Sequence, residues 1–334
     1  MPQPLEGYRI LELTMWGAAP YGVTHLADMG AEVIKIEEPV GGDRMRGLFS
    51  SGAQTSILPP HKVNYPWEFS GRGKKSVGLD IRRPEGRDVI CRLIPKVDVF
   101  ITNLRKKTLK KYGLDYQPMS KINPKLIYAH LGTFGAKGPD ADLPGQDLTG
   151  MARAGLVNLL RHNPEGKILA EGAFSLGDMI GSLQLAYAVT LALVAREKTG
   201  IGQEVDVSIM GALIAAQEFL FQIYLTTGKE PYLREHHQMQ NPIRNSYLCK
   251  DSKYIALGMT EGDRYWPVFC AAIERPDLAG DPRFSDIVKR ARSAQELIAI
   301  LDQVFLTRTR DQWCQIMKEH DCTAAPVQSF ADLA

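Results

Sequence analysis

The sequence predicts an α/β fold: a doubly wound, Rossmann-like parallel sheet in a large domain, followed by a smaller α+β domain. Three observations predict it. Strand, helix and strand follow one another within about 30 residues of the start, and that unit recurs down the first half of the chain. A long uncharged run, Met179 to Ala195, reads as a helix buried in a sizeable core. Beyond about residue 230 the alternation gives way to a hairpin pattern and then to helices only.

Taken in order, YRILELT is a strand, MWGAAP a loop of mostly small residues, and PYGVTHLADMG a helix with Pro20 in its first turn. AEVIKIEEP is the second strand. SVGLD, the helix PEGRDVICRLIPK, the strand VDVFITN, a basic helix and the strand LIYAHLGTF continue the period. Ligands of such sheets bind beyond the carboxyl ends of the strands, here Thr14–Ala19, Glu37–Arg46, Asn103–Lys107 and Gly132–Gly138. After the uncharged run, EVDVSIMGALIAAQEFLFQIYLTTG reads as a strand and one long helix. SYLCKDSKYIALGM is a hairpin around Lys-Asp-Ser, and helical patterns fill Asp263 to His320. These patterns divide the chain into a large domain over 1–205, a linker helix over 206–230 and a small domain over 231–334.

Composition narrows the function classes. The chain has 334 residues, 44% hydrophobic and 23% charged, with a formal net charge of +2, so no global field favours nucleic acid or a membrane surface. The basic run near Lys106 lacks interleaved aromatics, which also argues against nucleic acid. Five scattered cysteines without C-x-x-C spacing fit reduced thiols in a cytoplasm. The start MPQPLEGYRILEL lacks the features of a secretory leader, and the run after Asp178 is interrupted by Gly181, Ser182, Gln184, Tyr187 and Thr190, too polar for a span. The seven histidines never form an i, i+4 ligand pair, and the neighbours His236 and His237 read as polar loop, so no metal is expected. Glycine fingerprints for phosphates and the G-x-S-x-G elbow are missing.

Asp178 stands at the mouth of the uncharged run. An acid there is either a helix cap, which satisfies orphan N–H groups and favours the dipole, or a reactive group facing a cleft. Arg72, Lys74 and Lys75 form one basic cluster, and Arg105, Lys106, Lys107, Lys110 and Lys111 another, each suited to phosphate or to a solvated face.

The motifs PLEGYRILELT, ADMGAEVIKIEEPVGGDRMRG, GRGKKSVGLD, ITNLRKKTLKKYGLDY, GTFGAKGP and LGDMIGSLQLAYAVTLALVAREKTGIGQEVDVSI, in that order, resemble the class III CoA-transferases. That family includes formyl-CoA and carnitine CoA-transferases and, as a branch, α-methylacyl-CoA racemase. The resemblance runs nearly end to end. It implies that Asp178 is the nucleophile and that coenzyme A or acyl-CoA is bound as substrate. It implies CoA contacts at Asn103, Leu104, Lys111 and Tyr112, and Glu38 stands where some members carry an adenine-side Arg. With these go Gly17 and Ala18 of the first loop, Arg72, Lys75 and Arg105 for the phosphates, and Gly132 and Phe134 beyond the fifth strand. Backbone N–H groups near Gly17–Ala19 and Gly177 would stabilise the oxyanions of such a reaction.

Departures restrict the substrate. The oxalate-using transferase has Gln at the position of Gly17 and Trp at that of Leu48. The racemase branch has a His base where Gln146 stands, and an amide cannot accept a proton at neutral pH. KGPDADLPGQD resembles transferases acting on aryl-substituted or 2-hydroxy acids. The family's subunits are ring-like and interlocked, so the resemblance implies a homodimer, with a heteromer as the alternative; relatives continue past a C-terminus like TRDQWCQIMKEHDCTAAPVQSFADLA with a segment returning to the large domain. Competing readings are a catalytically quiet CoA-binding subunit of a heteromeric transferase, an α-methylacyl-CoA racemase, and a nicotinamide dehydrogenase with Glu37 or Glu38 as the ribose acid.

Overall fold

A computed structural model describes residues 2–47, 64–160 and 175–334. Leu48 lies outside the described residues. The described residues fall into a larger unit that runs to Pro231 and a smaller one from Tyr232 to Ala334.

In the larger unit, β1 (Arg9–Leu13), α1 (Ala18–Asp28), β2 (Glu32–Glu37), α2 (Tyr65–Gly71), β3 (Lys74–Gly78), α3 (Pro84–Leu93), β4 (Val99–Thr102), α4 (Lys106–Tyr112), α5 (Tyr116–Ile122), β5 (Ile127–Gly132), α6 (Asp147–Arg153), α7 (Leu156–Leu159), α8 (Leu176–Thr199) and β6 (Gln203–Ser208) follow one another. The six strands form one sheet in the order β3-β2-β1-β4-β5-β6, with every neighbouring pair parallel. Apolar residues cover both faces, as a parallel sheet requires. Ile10, Val33, Val99 and Ala129 face the layer of α1 and α8, and Leu11, Ile36, Phe100 and Tyr128 face that of α3, α4 and α5. The expected doubly wound sheet is present.

Three local readings differ from the structure. The third strand begins at Lys74 rather than Ser76, because the two lysines before its apolar pattern already pair in register with Val33 and Ile34 of β2. Helix α8 is not wholly buried: Leu185, Val189 and Leu193 pack in the core, while Leu183, Tyr187, Leu191 and Val194 are exposed on the other side. The segment expected as one linker helix over 206–230 first completes β6 to Ser208. It then forms α9 (Ile209–Ala216) and α10 (Glu218–Thr227), bent by 71° between them. Ser208 starts the first of these helices by accepting the Gly211 N–H at 3.0 Å.

The smaller unit contains β7 (Ser246–Leu248), β8 (Tyr254–Leu257), α11 (Gly262–Ala272), α12 (Pro276–Gly280), α13 (Ile287–Arg292), α14 (Ala294–Phe305), α15 (Arg310–Glu319), β9 (Ala324–Pro326) and α16 (Phe330–Leu333). The hairpin joins β7 to β8 antiparallel, with Ser252 at φ +60° in its turn, and β9 pairs with the far side of β8. Tyr247 stacks on Phe305, which in turn meets Trp313, at ring distances of 4.7 and 5.0 Å. Burial pushes the Cys249 thiol up to about 11 and that of Cys270 up to about 12, so both behave as apolar core groups. His236 is engaged by Asp302 at 2.9 Å, which gives the polar segment before the hairpin a structural anchor.

Candidate active site

The strand order reverses between β1 and β4, which makes the loops after these strands the topological switch point. Asn103 ties the two loops together. Its Oδ1 accepts the Met15 N–H at 3.0 Å and its Nδ2 donates to the Met15 carbonyl at 2.7 Å. An expected CoA contact thus spends its amide on fixing the first loop. Its neighbour Leu104 is fixed as well, with its carbonyl 3.0 Å from His130 Nε2. Gly132 closes β5 opposite Ser208, and the following Thr133 carbonyl accepts the Met210 N–H at 2.9 Å, so the turn leading to Phe134 is held by the start of α9.

Asp178 occupies the first turn of α8, two residues beyond the first helical position, and is partly buried. The capping position belongs to Ser175, whose backbone sits at φ +36°. Asp147 Oδ1 accepts the Asp178 N–H at 2.7 Å. A carboxylate at the head of α6 therefore serves an orphan amide of α8, a duty that a reading of Asp178 as a plain cap assigns to the wrong acid. Gly177 permits this approach, because a Cβ there would lie 2.7 Å from Asp147 Oδ1 and 2.9 Å from Ile209 Cγ2.

The carboxylate of Asp178 lies against Gly17. A Cβ on residue 17 would sit 2.0 Å from Asp178 Oδ2 and 3.0 Å from its Cγ, so only glycine leaves room for the acid in this position. Gly17 caps α1, and the N–H groups of Ala18 and Ala19 belong to the first turn of that helix, where intrahelical acceptors are missing. The carboxylate thus stands beside backbone donors and the positive end of a helix dipole, the provisions that an oxyanion at the same point requires. Trp16, just before, adopts φ +68°, a left-handed conformation that costs a bulky residue about 1–3 kcal/mol and persists only where surrounding contacts over-determine it. Gly22 brings α1 and α8 together: a Cβ there would meet the Ser182 carbonyl at 2.9 Å.

Beneath this loop lies a cluster that sequence reasoning missed. Glu12, Lys35 and Asp43 are 0%, 1% and 4% exposed, and the Lys74 side chain is 2% exposed. Lys35 Nζ pairs with Glu12 Oε1 and Asp43 Oδ2, both at 2.9 Å, and Lys74 Nζ pairs with Glu12 Oε2 at 2.9 Å. Burial opposes ionisation of Glu12, but the two lysines prevail and hold its carboxyl below the usual range. Burial, helped by the neighbouring Lys35 charge, brings the Lys74 ammonium down to about 8 against the pull of Glu12 and Asp43. In the sequence Glu12 and Lys35 stand among the apolar residues of two strands, Asp43 falls in the loop after the second, and Lys74 belongs to a basic cluster. Their register betrays the pairing, since Glu12 lies directly opposite Lys35.

Two expected CoA contacts are not brought to this end of the sheet. Arg72 and Lys75 sit at the amino side of β3, where they pair with Asp28 at 2.6 Å and Glu32 at 2.7 Å. Lys75, together with Arg9, holds the Glu32 carboxyl down at about 2. Composition showed a basic cluster; only the true start of the strand shows which way it faces. Arg105 precedes the first residue of α4, near the switch point, and Lys111 and Tyr112 fill the helix's last turn, where the Lys111 ammonium lies 5.4 Å from the Tyr112 ring centroid. Arg82, absent from both basic clusters of the sequence, lies just past the carboxyl end of β3, pairing with Asp80 at 2.8 Å and with Glu38 at 3.3 Å.

Glu37, considered above as a ribose acid, is otherwise employed. It accepts from Arg46 Nε and Nη2 at 2.7 and 2.8 Å and from the Asp43 N–H at 2.8 Å. Burial opposes ionisation of Glu37, but these donors together with the Ser76 hydroxyl hold its carboxyl at about 2. Gln146 forms a capping box with Thr149 at the head of α6. No group of His, Cys, Asp and Glu suited to a metal ion is found among the described residues.

Fold and site together define an α/β protein with a carboxylate presented to a glycine loop at a topological switch point. The chain belongs to CoA-transferase family III, whose profile matches residues 5–334, and it is a CoA-transferase. It is 32% identical over 333 residues to the cinnamoyl-CoA:phenyllactate CoA-transferase of Clostridium sporogenes, covering 98% of this chain and 79% of that one. To the (R)-2-hydroxy-4-methylpentanoate CoA-transferase of Clostridioides difficile it is 31% identical over 333 residues, covering 98% and 81%. A solved structure of a CaiB/BaiF family protein from Brucella suis matches with a TM-score of 0.83 at 28% identity, covering 100% of this chain and 86% of that one.

Proposed function

We propose that the protein moves CoA between two carboxylic acids with Asp178 as the covalent relay. The observation that carries this reading is the seat of the Asp178 carboxylate against Gly17, beside the first-turn amides of α1. Attack of an Asp178 oxygen on the thioester carbon of an acyl-CoA expels CoA thiolate and leaves a mixed anhydride. The thiolate then attacks the Asp178 carbonyl carbon, the first acid leaves as carboxylate, and an aspartyl-CoA thioester remains. The acceptor carboxylate attacks that thioester, the thiolate leaves again and returns to the acyl carbon of the new anhydride, which frees Asp178. Each addition places a negative oxygen near the N–H groups of Gly17, Ala18 and Ala19, where fixed dipoles stabilise it without reorganisation.

Two relatives act by name on a 2-hydroxy acid, one of them with an aryl group. Together with Gly17 in place of a bulkier amide, this supports a substrate that is a 2-hydroxy or aryl-substituted acid. CoA is held in this reading by the loops beyond the strands, with Leu104, Arg105 and Lys111 from the β4–α4 region and Gly132 and Phe134 from the end of β5. Relatives named as alpha and beta subunits of a malate CoA-transferase favour one further possibility, a partner chain in the working enzyme. The exposed row Leu183, Tyr187, Leu191 and Val194 on α8, with Phe219, Phe221 and Leu225 on α10, supports a dimer whose second copy covers it. A cytoplasmic setting fits the five free thiols.

The test is a cross-screen of acyl-CoA donors and acids with hydroxylamine present and mass spectrometry as readout. The reading expects transfer to a 2-hydroxy or aryl acid and a hydroxamate on the peptide spanning 172–196. Absence of any adduct with every donor, while a partner chain restores transfer, supports the quiet-subunit alternative.

A further inference from the structure

We infer that the buried ion cluster of Glu12, Lys35, Asp43 and Lys74 is a positioning device that clamps the Met15–Gly17 loop against the Asp178 carboxylate, so that these four residues govern the acyl-transfer step without touching substrate. The inference rests on Asp178 as the covalent relay.

The geometry carries it. The cluster reaches backbone groups on both sides of the loop. Lys35 Nζ donates to the Thr14 carbonyl at 3.0 Å on the near side, and Lys74 Nζ donates to the Pro20 carbonyl at 2.8 Å on the far side. Between them, the Trp16 N–H donates to Asp43 Oδ1 at 3.3 Å. These three bonds bracket residues 15–19, the span that holds both the left-handed Trp16 and the glycine on which Asp178 rests. Asn103 fixes Met15 from the opposite side through two more bonds. Asp43 is itself placed, because its N–H donates to Glu37 and its Oδ1 also accepts the Met45 N–H at 2.9 Å.

A stability role alone does not account for the arrangement. Two ammonium and two carboxylate groups taken out of water gain little over an apolar filling of the same volume, whereas removing one member leaves a charge without its counterpart. What apolar residues cannot do is donate to the Thr14 and Pro20 carbonyls and accept from Trp16. The cluster thus supplies directed hydrogen bonds where a strained loop needs them.

The charge on the clamp is also conditional. Lys74 faces Glu12 from β1, Lys35 from β2, Asp43 from the loop after β2 and the Pro20 carbonyl from α1, and burial brings its ammonium down to about 8. Above that pH the cluster loses a positive charge and the bond to Pro20 loses its charge assistance. Loading of Asp178 then falls with rising pH.

The test uses the full chain and the rate of Asp178 acylation, measured by hydroxylamine trapping in a rapid quench, beside CoA affinity by calorimetry and thermal melting. Lys74→Met is expected to slow acylation about a hundredfold, the cost of a loop displaced by about 1 Å, while CoA affinity changes no more than about threefold and the fold persists. Asp43→Asn, which retains an acceptor for Trp16, is expected to lose less. In the unmodified protein the acylation rate falls as pH rises through about 8, and Lys74→Met loses that limb. Acylation within about twofold of the unmodified rate in Lys74→Met, or a slowing matched by an equal loss of CoA affinity, overturns the inference. If Lys74→Met fails to fold, the unmodified protein decides: a rate that stays flat from about pH 7 to 9 overturns the inference as well. An adduct that persists in Asp178→Asn instead removes the covalent relay itself, a failure distinct from that of the clamp.

Discussion

Replacing Gly17 by alanine tests whether the position of the Asp178 carboxylate matters to catalysis. The backbone at residue 17, φ −87° and ψ −83°, borders the right-handed helical region, so an alanine there adds only modest torsional strain to the clash of its side chain. The added methyl would lie 2.0 Å from Asp178 Oδ2, where carbon–oxygen contacts below 3.0 Å do not persist. The oxygen must therefore retreat by at least about 1 Å, and a reacting group misplaced by that much loses roughly 100-fold in rate. That factor corresponds to about 2.7 kcal/mol of barrier. Turning the side chain off its rotamer costs stability only about 0.5–1.5 kcal/mol. Gly17→Ala should thus melt within a few degrees of the unmodified protein, bind CoA, and transfer it about a hundred times more slowly in single-turnover assays. A variant with near-normal transfer would refute the claim that Asp178 reacts from the seat observed here; a variant that unfolds would show that the loop is bound to stability instead.

Other consequences are smaller but as concrete. Lys111→Ala should weaken CoA binding more than Lys75→Ala, whose charge is committed to Glu32 at the amino end of the sheet; equal losses by calorimetry would return the Lys75 region to the pocket. Asp147→Ala should lower stability by about 1 kcal/mol through the uncapped start of α8, and Asp147→Asn should largely restore both stability and transfer, since an amide oxygen can accept the Asp178 N–H. The protein should exchange the α-proton of a 2-methylacyl-CoA with heavy water no faster than background, because Gln146 cannot titrate; rapid deuterium uptake would revive the racemase reading.

The sheet was legible because its strands are apolar runs separated by helices of ordinary length, and the switch point follows from that alternation. The site was legible only in outline. Asp178 and Gly17 stood out through family motifs, whereas their contact is a matter of three-dimensional placement that no spacing encodes. The placement of Arg72 and Lys75 was not legible, because a basic cluster shows charge but not which end of a strand it occupies, and β3 starts two residues before its apolar pattern does. The continuous apolar texture of IMGALIAAQEFLFQIYL hid the break at Gln217. Glu12 and Lys35 were invisible for a different reason, because charges inside strands show their pairing only through cross-strand register, and Lys74 was visible as a member of a basic cluster but not as a partner of Glu12.

The central claim, that Asp178 is covalently loaded in turnover, is tested most directly by Asp178→Asn in a single-turnover transfer experiment with a productive acyl-CoA and acid pair. The substitution keeps size and hydrogen bonding at the head of α8, so folding and CoA binding should persist. The account predicts that both the hydroxylamine-trapped adduct and the transfer of CoA disappear. Near-normal transfer by a folded Asn variant would contradict it and leave Asp178 as a structural residue of the helix.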